Sequence, residues 1–299
     1  MLRTLADAMR SQALLGFDLP GAPPRIDELP APLPGSEALR VEAPAGRFLI
    51  FISASGPLAL AFEAALFDLL AEHRFAAPAP RRASAGGLIA QLKGPEGPAA
   101  ASCYPWPPGH PLEPQLASAP QLIGIGRLLA RLHQLGRDHP ASIPDPCDGA
   151  LLASRLPFGA QSDAVAEVLR RSHGPLPVGA LHGRPGPAQF LFVGERPSAL
   201  LPAGCACSGP LLLDLAEALV GWALALPQSL PALRALLAGY QSLRRLGPEE
   251  RASLHAMLQH AAARADARAL IAGRRAGHEA GALAALARIG EDQIAALAR

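Results

Sequence analysis

The residues best placed to do chemistry lie in Ala180-Leu-His-Gly-Arg-Pro-Gly-Pro-Ala-Gln-Phe-Leu-Phe192. His182, Arg184 and Gln189 stand there at the spacing His-x-Asp-x-x-x-x-Asn, followed by an apolar strand. In that frame the Asp accepts the proton of a substrate hydroxyl and the Asn holds a magnesium ion during phosphoryl transfer. Here Arg184 takes the place of the Asp and Gln189 that of the Asn. A guanidinium accepts no proton at neutral pH, and its fixed charge repels Mg2+. The frame is present without its reactive groups.

Each neighbouring residue has a structural reading beside a chemical one. His182 is a general base only in a rewired mechanism; an imidazole in this frame bonds the loop backbone, and we adopt that reading. Asp214, ahead of the apolar run 215–219, reads as a helix N-cap or loop anchor rather than a metal ligand. Cys205-x-Cys207 has no second cysteine pair at zinc spacing and reads as buried thiols, so no metal site is expected. Arg184 keeps two readings. One is anion binding helped by the backbone amides of Gly183 and Gly186, the other an ion pair with Glu195.

The elements that must position these residues follow from periodicity. Strand-like runs at 38–41, 48–53, 88–92 and 99–104 predict a small antiparallel sheet, and 58–73 predicts one helix packed on it. Residues 1–19 predict a short amphipathic helix; Asp7 and Arg10 interrupt its apolar stretch, so it lacks the uninterrupted hydrophobic region expected of a signal peptide. Tyr104-Pro-Trp-Pro-Pro-Gly109 is a stiff connector. Trp106 within it is placed either to stack on a base or to fill the core. Beyond it, helices are predicted at 119–136, 211–226, 230–243, 248–272 and 277–299, with short strands at 178–181, 190–193 and 198–201 around the loop. The arginines along 263–275 read as one solvated helix face.

The chain has 299 residues, 50% apolar and 17% charged, enough for a substantial core. Its 27 basic residues nearly balance 25 acidic ones, and no Lys/Arg run exceeds two, which argues against a nucleic-acid partner. Lys93 is the only lysine. The stretch 211–226 is interrupted by Asp214 and Glu217 and is too short to span a bilayer, so no membrane partner and a cytoplasmic setting with reduced thiols are expected.

Gly124-Ile-Gly-Arg-Leu-Leu-Ala-Arg-Leu-His133 resembles the G-x-x-L-A-x-L-H helix of the aminoglycoside phosphotransferase superfamily. Leu237-Ala-Gly-Tyr-Gln-Ser-Leu-Arg-Arg-Leu246 and Cys205-Ala-Cys-Ser208, ending in Leu213-Asp-Leu-Ala216, are similar to its homoserine kinase branch. The resemblance covers about residues 35–270. It implies an α+β, kinase-like bilobal fold. A small N-terminal lobe, residues 1–104, would hold an antiparallel sheet and one helix. A larger, mainly helical lobe, residues 105–299, would carry the degenerate catalytic loop.

Carried over residue by residue, the resemblance puts Phe51 near the position of the phosphate-contacting lysine and Pro202 at the second metal-binding carboxylate. Lys93, in a hairpin turn of the small lobe, does not replace the lysine. Glu63 takes the position of the ion-pairing helix glutamate, without a lysine to pair with, and is expected either exposed or paired with an arginine. His133, His182 and Asp214 occupy scaffold positions. Gly35-Ser-Glu37 is a remnant of the phosphate-covering turn, with Ala38 in place of Asn. A positioned general base is worth roughly 10² to 10⁴ in rate, and metal clamps carry the larger share of phosphoryl transfer.

The reading taken is therefore a pseudokinase, a binding or regulatory module with no catalytic residues. Its cleft candidates are Phe51, Glu63, Trp106, Arg184, Pro202 and Asp214. No cofactor is expected, with ATP bound without Mg2+ as the alternative, and the partner is a protein or a small anionic ligand. One rival is an active phosphotransferase using Asp214, Glu195 or His182 in new roles, which several carboxylates converging on the cleft would favour. The other is an interaction protein with a subunit interface on the helices at 211–226 and 277–297, which an exposed apolar face there would favour.

Overall fold

Two faces of one antiparallel sheet organise the N-terminal part of the computed structural model. The structure describes residues 2–19, 25–30, 35–54, 57–94, 97–139, 142–171, 174–224, 226, 229–273 and 281–297. Helix α1 (Leu2–Gly16) precedes strands β1 (Arg25–Leu29), β2 (Ser36–Ala43) and β3 (Gly46–Ser53), helix α2 (Leu58–Glu72), and strands β4 (Ile89–Gly94) and β5 (Gly97–Pro105). The five strands lie in the order β1-β2-β3-β5-β4, all neighbours antiparallel. Side chains alternate across a strand. Phe48, Ile50 and Ile52 thus pack with Ala13 and Phe17 of the α1 side, while Leu49 and Phe51 pack with Phe62 and Phe67 of α2.

Strand β1 is an addition to the four strands read from the sequence. Arg-Ile-Asp-Glu-Leu is too charged to read as a buried strand, and it lies at the sheet edge, where charges are tolerated. Its Asp27 sits opposite Arg40 in the register, and the two ion-pair at 2.6 Å.

The C-terminal part contains β6 (His110–Pro111), α3 (Ala119–Leu135), α4 (Gly149–Ser154), α5 (Ala160–Leu169), β7 (Val178–Leu181), β8 (Phe190–Val193), β9 (Arg196–Leu200) and β10 (Cys207–Pro210). Helices α6 (Leu211–Leu219), α7 (Ser229–Gln241), α8 (Pro248–Ile271), α9 (Ala282–Ala287) and α10 (Glu291–Leu297) follow. Strands β6, β8 and β9 form one small sheet, and β7 pairs with β10 in another. Helix α3 begins with a capping box: Gln121 N–H donates to the Ser118 hydroxyl, and Ser118 N–H donates to the Gln121 side chain at 2.8 Å.

Three further expectations change. Helices α4 and α5 were not read from the sequence; α4 is started by Asp148, whose carboxylate accepts from Leu151 N–H at 2.9 Å. The helix predicted at 211–226 is α-helical only to Leu219 and continues as a π-helical turn, Val220–Leu224. All nine residues of α6 are buried, so it offers no apolar face for a subunit interface. The single helix predicted at 277–299 is two helices among the described residues, α9 and α10, and its Ala282, Ala285, Leu286 and Ile294 are buried. Residues 277–280 and 298–299 lie outside the described residues. No helix among the described residues is long and apolar enough to cross a membrane.

Helices α3 and α7 cross at two glycines. A Cβ on Gly126 would lie 2.0 Å from the Leu236 carbonyl oxygen, and one on Gly239 would lie 2.1 Å from that of Ile123. Both obstacles are backbone, so any side chain forces the helices apart. Gly126→Ala is expected to destabilise the protein by about 3 kcal/mol or more in denaturant unfolding. Gly174→Ala, with open space around it, is expected to stay within about 0.5 kcal/mol of the parent. Equal effects from the two would show that the crossing is not the tight contact described.

Candidate functional site

A cavity of about 710 Å³ lies between the sheet and the helices. Leu49 and Phe51 of β3 form one wall, with Ala38 and Arg40 of β2 beside them, and Trp106 lines it from the connector after β5. Arg184 and Gln189 enter from the β7–β8 loop, Pro202 from the segment after β9. Val220, Gly221 and Leu224 of the π-helical turn and Arg268 of α8 close the far end. The cavity is open, not filled by protein side chains. The structure thus brings together Phe51, Trp106, Arg184, Gln189 and Pro202. It places Glu63, His182 and Asp214 outside the lining, each fully buried, so the expectation that Glu63 and Asp214 face the cleft is corrected.

Asp214 lies in the first turn of α6 and is not its N-cap, which is Pro210. Its carboxylate accepts from His182 N–H at 2.6 Å and Gly183 N–H at 2.9 Å. His133 Nε2 donates to it at 3.4 Å, the Tyr240 hydroxyl donates to His133 Nδ1 at 2.7 Å, and Arg244 donates to that hydroxyl at 3.1 Å. His182 donates from Nε2 to the Leu201 carbonyl at 2.7 Å and accepts at Nδ1 from Arg184 N–H at 3.3 Å. The network assigns both histidines the Nε2–H tautomer. Burial lowers the His182 pKa, against the pull of Asp214 and the Leu201 bond. Both ring nitrogens are engaged by backbone, so His182 has no free nitrogen for a substrate proton.

Glu63 is neither exposed nor paired with an arginine. Its carboxylate accepts from Ala203 N–H at 3.0 Å and from Gly204 N–H at 2.9 Å on each oxygen. The helix glutamate therefore holds the segment just beyond Pro202, with backbone amides in place of a cationic side chain. Burial pushes this carboxyl up to about 7, opposed by the amides of Ala203 and Gly204.

Three lining guanidiniums meet different fates. Arg40 is bound to Asp27. Arg268 donates to both oxygens of Glu217, at 2.7 and 3.2 Å. Arg184 is half-buried, and among the described residues no carboxylate lies within 4.0 Å of it. Of the two readings of Arg184, the pairing with Glu195 does not form; Glu195 is exposed in the β8–β9 turn. The amides proposed to assist Arg184 are also taken, Gly183 N–H by Asp214 and Gly186 N–H by the Arg184 carbonyl at 2.8 Å.

Sequence reasoning missed Glu217 and the arginines that hold it. The arginines of 263–275 do not form the solvated face expected: Arg264 is 1% exposed and donates to Glu217 at 2.7 Å and Asp145 at 2.6 Å, while residues 274–275 lie outside the described residues. The readable signal was Arg264 and Arg268, one turn apart on a helix otherwise rich in alanine. Burial opposes ionisation of Glu217, but the guanidiniums of Arg268 and Arg264 outweigh it and hold the carboxyl down at about 2.

These residues do not fit a magnesium ion. Mg2+ takes oxygen ligands, usually one or two carboxylates beside substrate phosphates. The only carboxylate among the described lining residues is Glu217, which is committed to two arginines. Gln189 supplies one neutral oxygen, Pro202 none from its side chain, and Arg184 a repelling charge. Nor do several carboxylates among the described residues converge on the cavity. Lys93 lies exposed near the end of β4, its N–H bonded to the Gln12 side chain at 2.8 Å, outside the lining. Ser36 and Glu37, expected in a phosphate-covering turn, begin strand β2, where Glu37 is bound by Arg10 at 2.8 Å, while residues 31–34 lie outside the described residues.

The Glu63 carboxyl makes stability depend on pH. Its pKa is raised on folding, from 4.5 to about 7, so its contribution is complete below 4.5 and lost as pH rises through 7. The full change is about 3 kcal/mol. The parent protein should lose stability relative to Glu63→Gln as pH is raised from 5 to 8 in parallel melts. A constant difference across that range would show that Glu63 does not titrate there.

A model of the phosphotransferase enzyme family matches residues 35–253. The homoserine kinase of Rhizobium meliloti is 29% identical over 209 residues, 64% of this chain and 61% of that one. The homoserine kinase of Mesorhizobium japonicum is 33% identical over 147 residues, 44% of this chain and 45% of that one. The matches therefore span about half to three fifths of these relatives' length. Among solved structures, an amicoumacin kinase in complex with AMP-PNP, Ca2+ and Ami aligns with a TM-score of 0.73 at 12% identity, over 99% of this chain and 96% of that one. A microcompartment-associated aminopropanol kinase aligns with a TM-score of 0.66 at 16% identity, over 97% and 95%. Identities this low show the fold alone, and that fold is kinase-like. The match across residues 35–253 settles the lineage: this chain belongs to the phosphotransferase enzyme family.

Proposed function

We propose that this chain is a pseudokinase, a family member that does not transfer phosphate and serves as a binding or regulatory module through its open cavity. The observation that carries this reading is the set of groups facing that cavity. Arg184, Gln189 and Pro202 stand where a proton acceptor and two metal ligands would be required, and Glu217 is neutralised by arginines. Phosphoryl transfer depends on positioned charge, so a cavity whose charges have the wrong sign for Mg2+ retains the pocket and loses the reaction. In this reading the setting is the cytoplasm, where the four free, buried cysteines remain reduced.

The rival reading draws on the relatives' name, homoserine kinase, and takes the chain as an active phosphotransferase. One experiment separates the two. Purified protein with ATP, Mg2+ and homoserine is expected to form no ADP above the no-enzyme rate. Its thermal midpoint with ATP is expected to be unchanged by added Mg2+, because a ligand raises the midpoint only by binding the folded state. Turnover, or a stabilisation by ATP that requires Mg2+, would overturn the proposal. The absence of any nucleotide shift would exclude ATP as the ligand and leave the inactive reading in place.

A further inference from the structure

The cavity is asymmetric in charge. Its walls toward the N-terminal sheet, the connector and β8 are apolar, formed by Leu49, Phe51, Trp106 and Leu191, and the one cation there among the described residues, Arg40, is paired with Asp27. Toward the helices the charges gather. Arg264 and Arg268 bind Glu217, Arg264 also binds Asp145, and Arg184 is near enough to help hold the Glu217 carboxyl down. Three guanidiniums thus face two carboxylates, leaving one net positive charge. Arg184 is the member of that group without a carboxylate partner among the described residues, and it lines the cavity.

We propose that Arg184 is the anchor of an anion subsite, and that the cavity takes an amphipathic monoanion: an alkyl or aryl carboxylate, or a related single-charge acid, with an apolar body. This rests on the reading above of a metal-independent binding cavity and names the ligand class for it. One uncompensated charge suits one negative group and not the several of a nucleotide triphosphate. The backbone amides that could have shared a phosphate, those of His182, Gly183 and Gly186, already have acceptors. The head group is therefore bound by side chain, with guanidinium geometry suited to a planar carboxylate. The body lies along Phe51, Trp106 and Leu191. A volume near 710 Å³ is in the range of small-molecule sites.

The test uses two fluorescent probes with one aromatic body. 8-Anilinonaphthalene-1-sulfonate carries a single negative charge, and N-phenyl-1-naphthylamine carries none. Both are expected to bind the 299-residue chain and to be displaced by octanoate. Arg184→Gln should weaken the sulfonate probe about tenfold, the value of one charge-assisted hydrogen bond, and leave the neutral probe unchanged; Arg184→Lys should restore part of the loss. In the unsubstituted protein, raising ionic strength should weaken the sulfonate probe only, a result independent of how the variants fold. If both probes bind but neither the substitution nor salt discriminates between them, the anion subsite is wrong while the binding cavity stands. If neither probe binds, the cavity reading fails, and the subsite with it.

Discussion

The buried Asp214 carboxylate is the constraint on which the rest of the site depends. It joins four parts of the chain that are distant in sequence: its own helix α6, the loop at His182 and Gly183, His133 on α3 and, through Tyr240, helix α7. A charged acceptor without water must be met by donors, and each charge-assisted bond contributes about 1.5 to 3 kcal/mol. The loop whose start is fixed in this way is the one that brings Arg184 and Gln189 to the cavity. The glycine crossing of α3 and α7 serves the same end, because His133 and Tyr240 meet only where those helices touch.

Two further buried carboxylates show how surroundings decide a group's character. Glu63 meets neutral amide dipoles, and burial wins, raising its pKa. Glu217 meets two guanidiniums, and they win, lowering it. Neither is available to a metal, for opposite reasons: Glu63 lies behind the wall, and Glu217 is in the wall but fully engaged. These buried carboxylates hold parts of the chain together, and Arg184 is left facing the cavity without a carboxylate partner among the described residues.

Much of this was legible in the sequence. Strands β2 to β5 and helices α2, α3, α7 and α8 carry the periodicities that exposed them, and the loop frame of His182, Arg184 and Gln189 located one wall of the cavity. What escaped notice depends on partners distant in the chain. Strand β1 is charged because Arg40 waits beside it; helix α4 is only six residues long. The arginines of α8 looked solvated because nothing local reveals Glu217 and Asp145 opposite them. Neither expectation for Glu63, exposure or an arginine partner, included the backbone amides that hold it, because a backbone nest has no residue signature. Sequence patterns report which side chains want burial, and far less about which backbone amides need an acceptor.

The two tryptophans are placed so differently that they divide the optical properties of the molecule between them. Trp222, in the π-helical turn, is fully buried and edge-on to Phe190 and Phe192, at 5.9 and 5.8 Å. Trp106 is half-buried on the cavity wall, with the Arg40 guanidinium 5.8 Å from its ring. Emission from the first is set by a rigid apolar shell and reports only whether the fold is intact. Emission from the second changes with whatever enters beside it. The protein therefore carries an internal reference and an internal reporter in one spectrum, and occupancy of its cavity can be followed by light without a label.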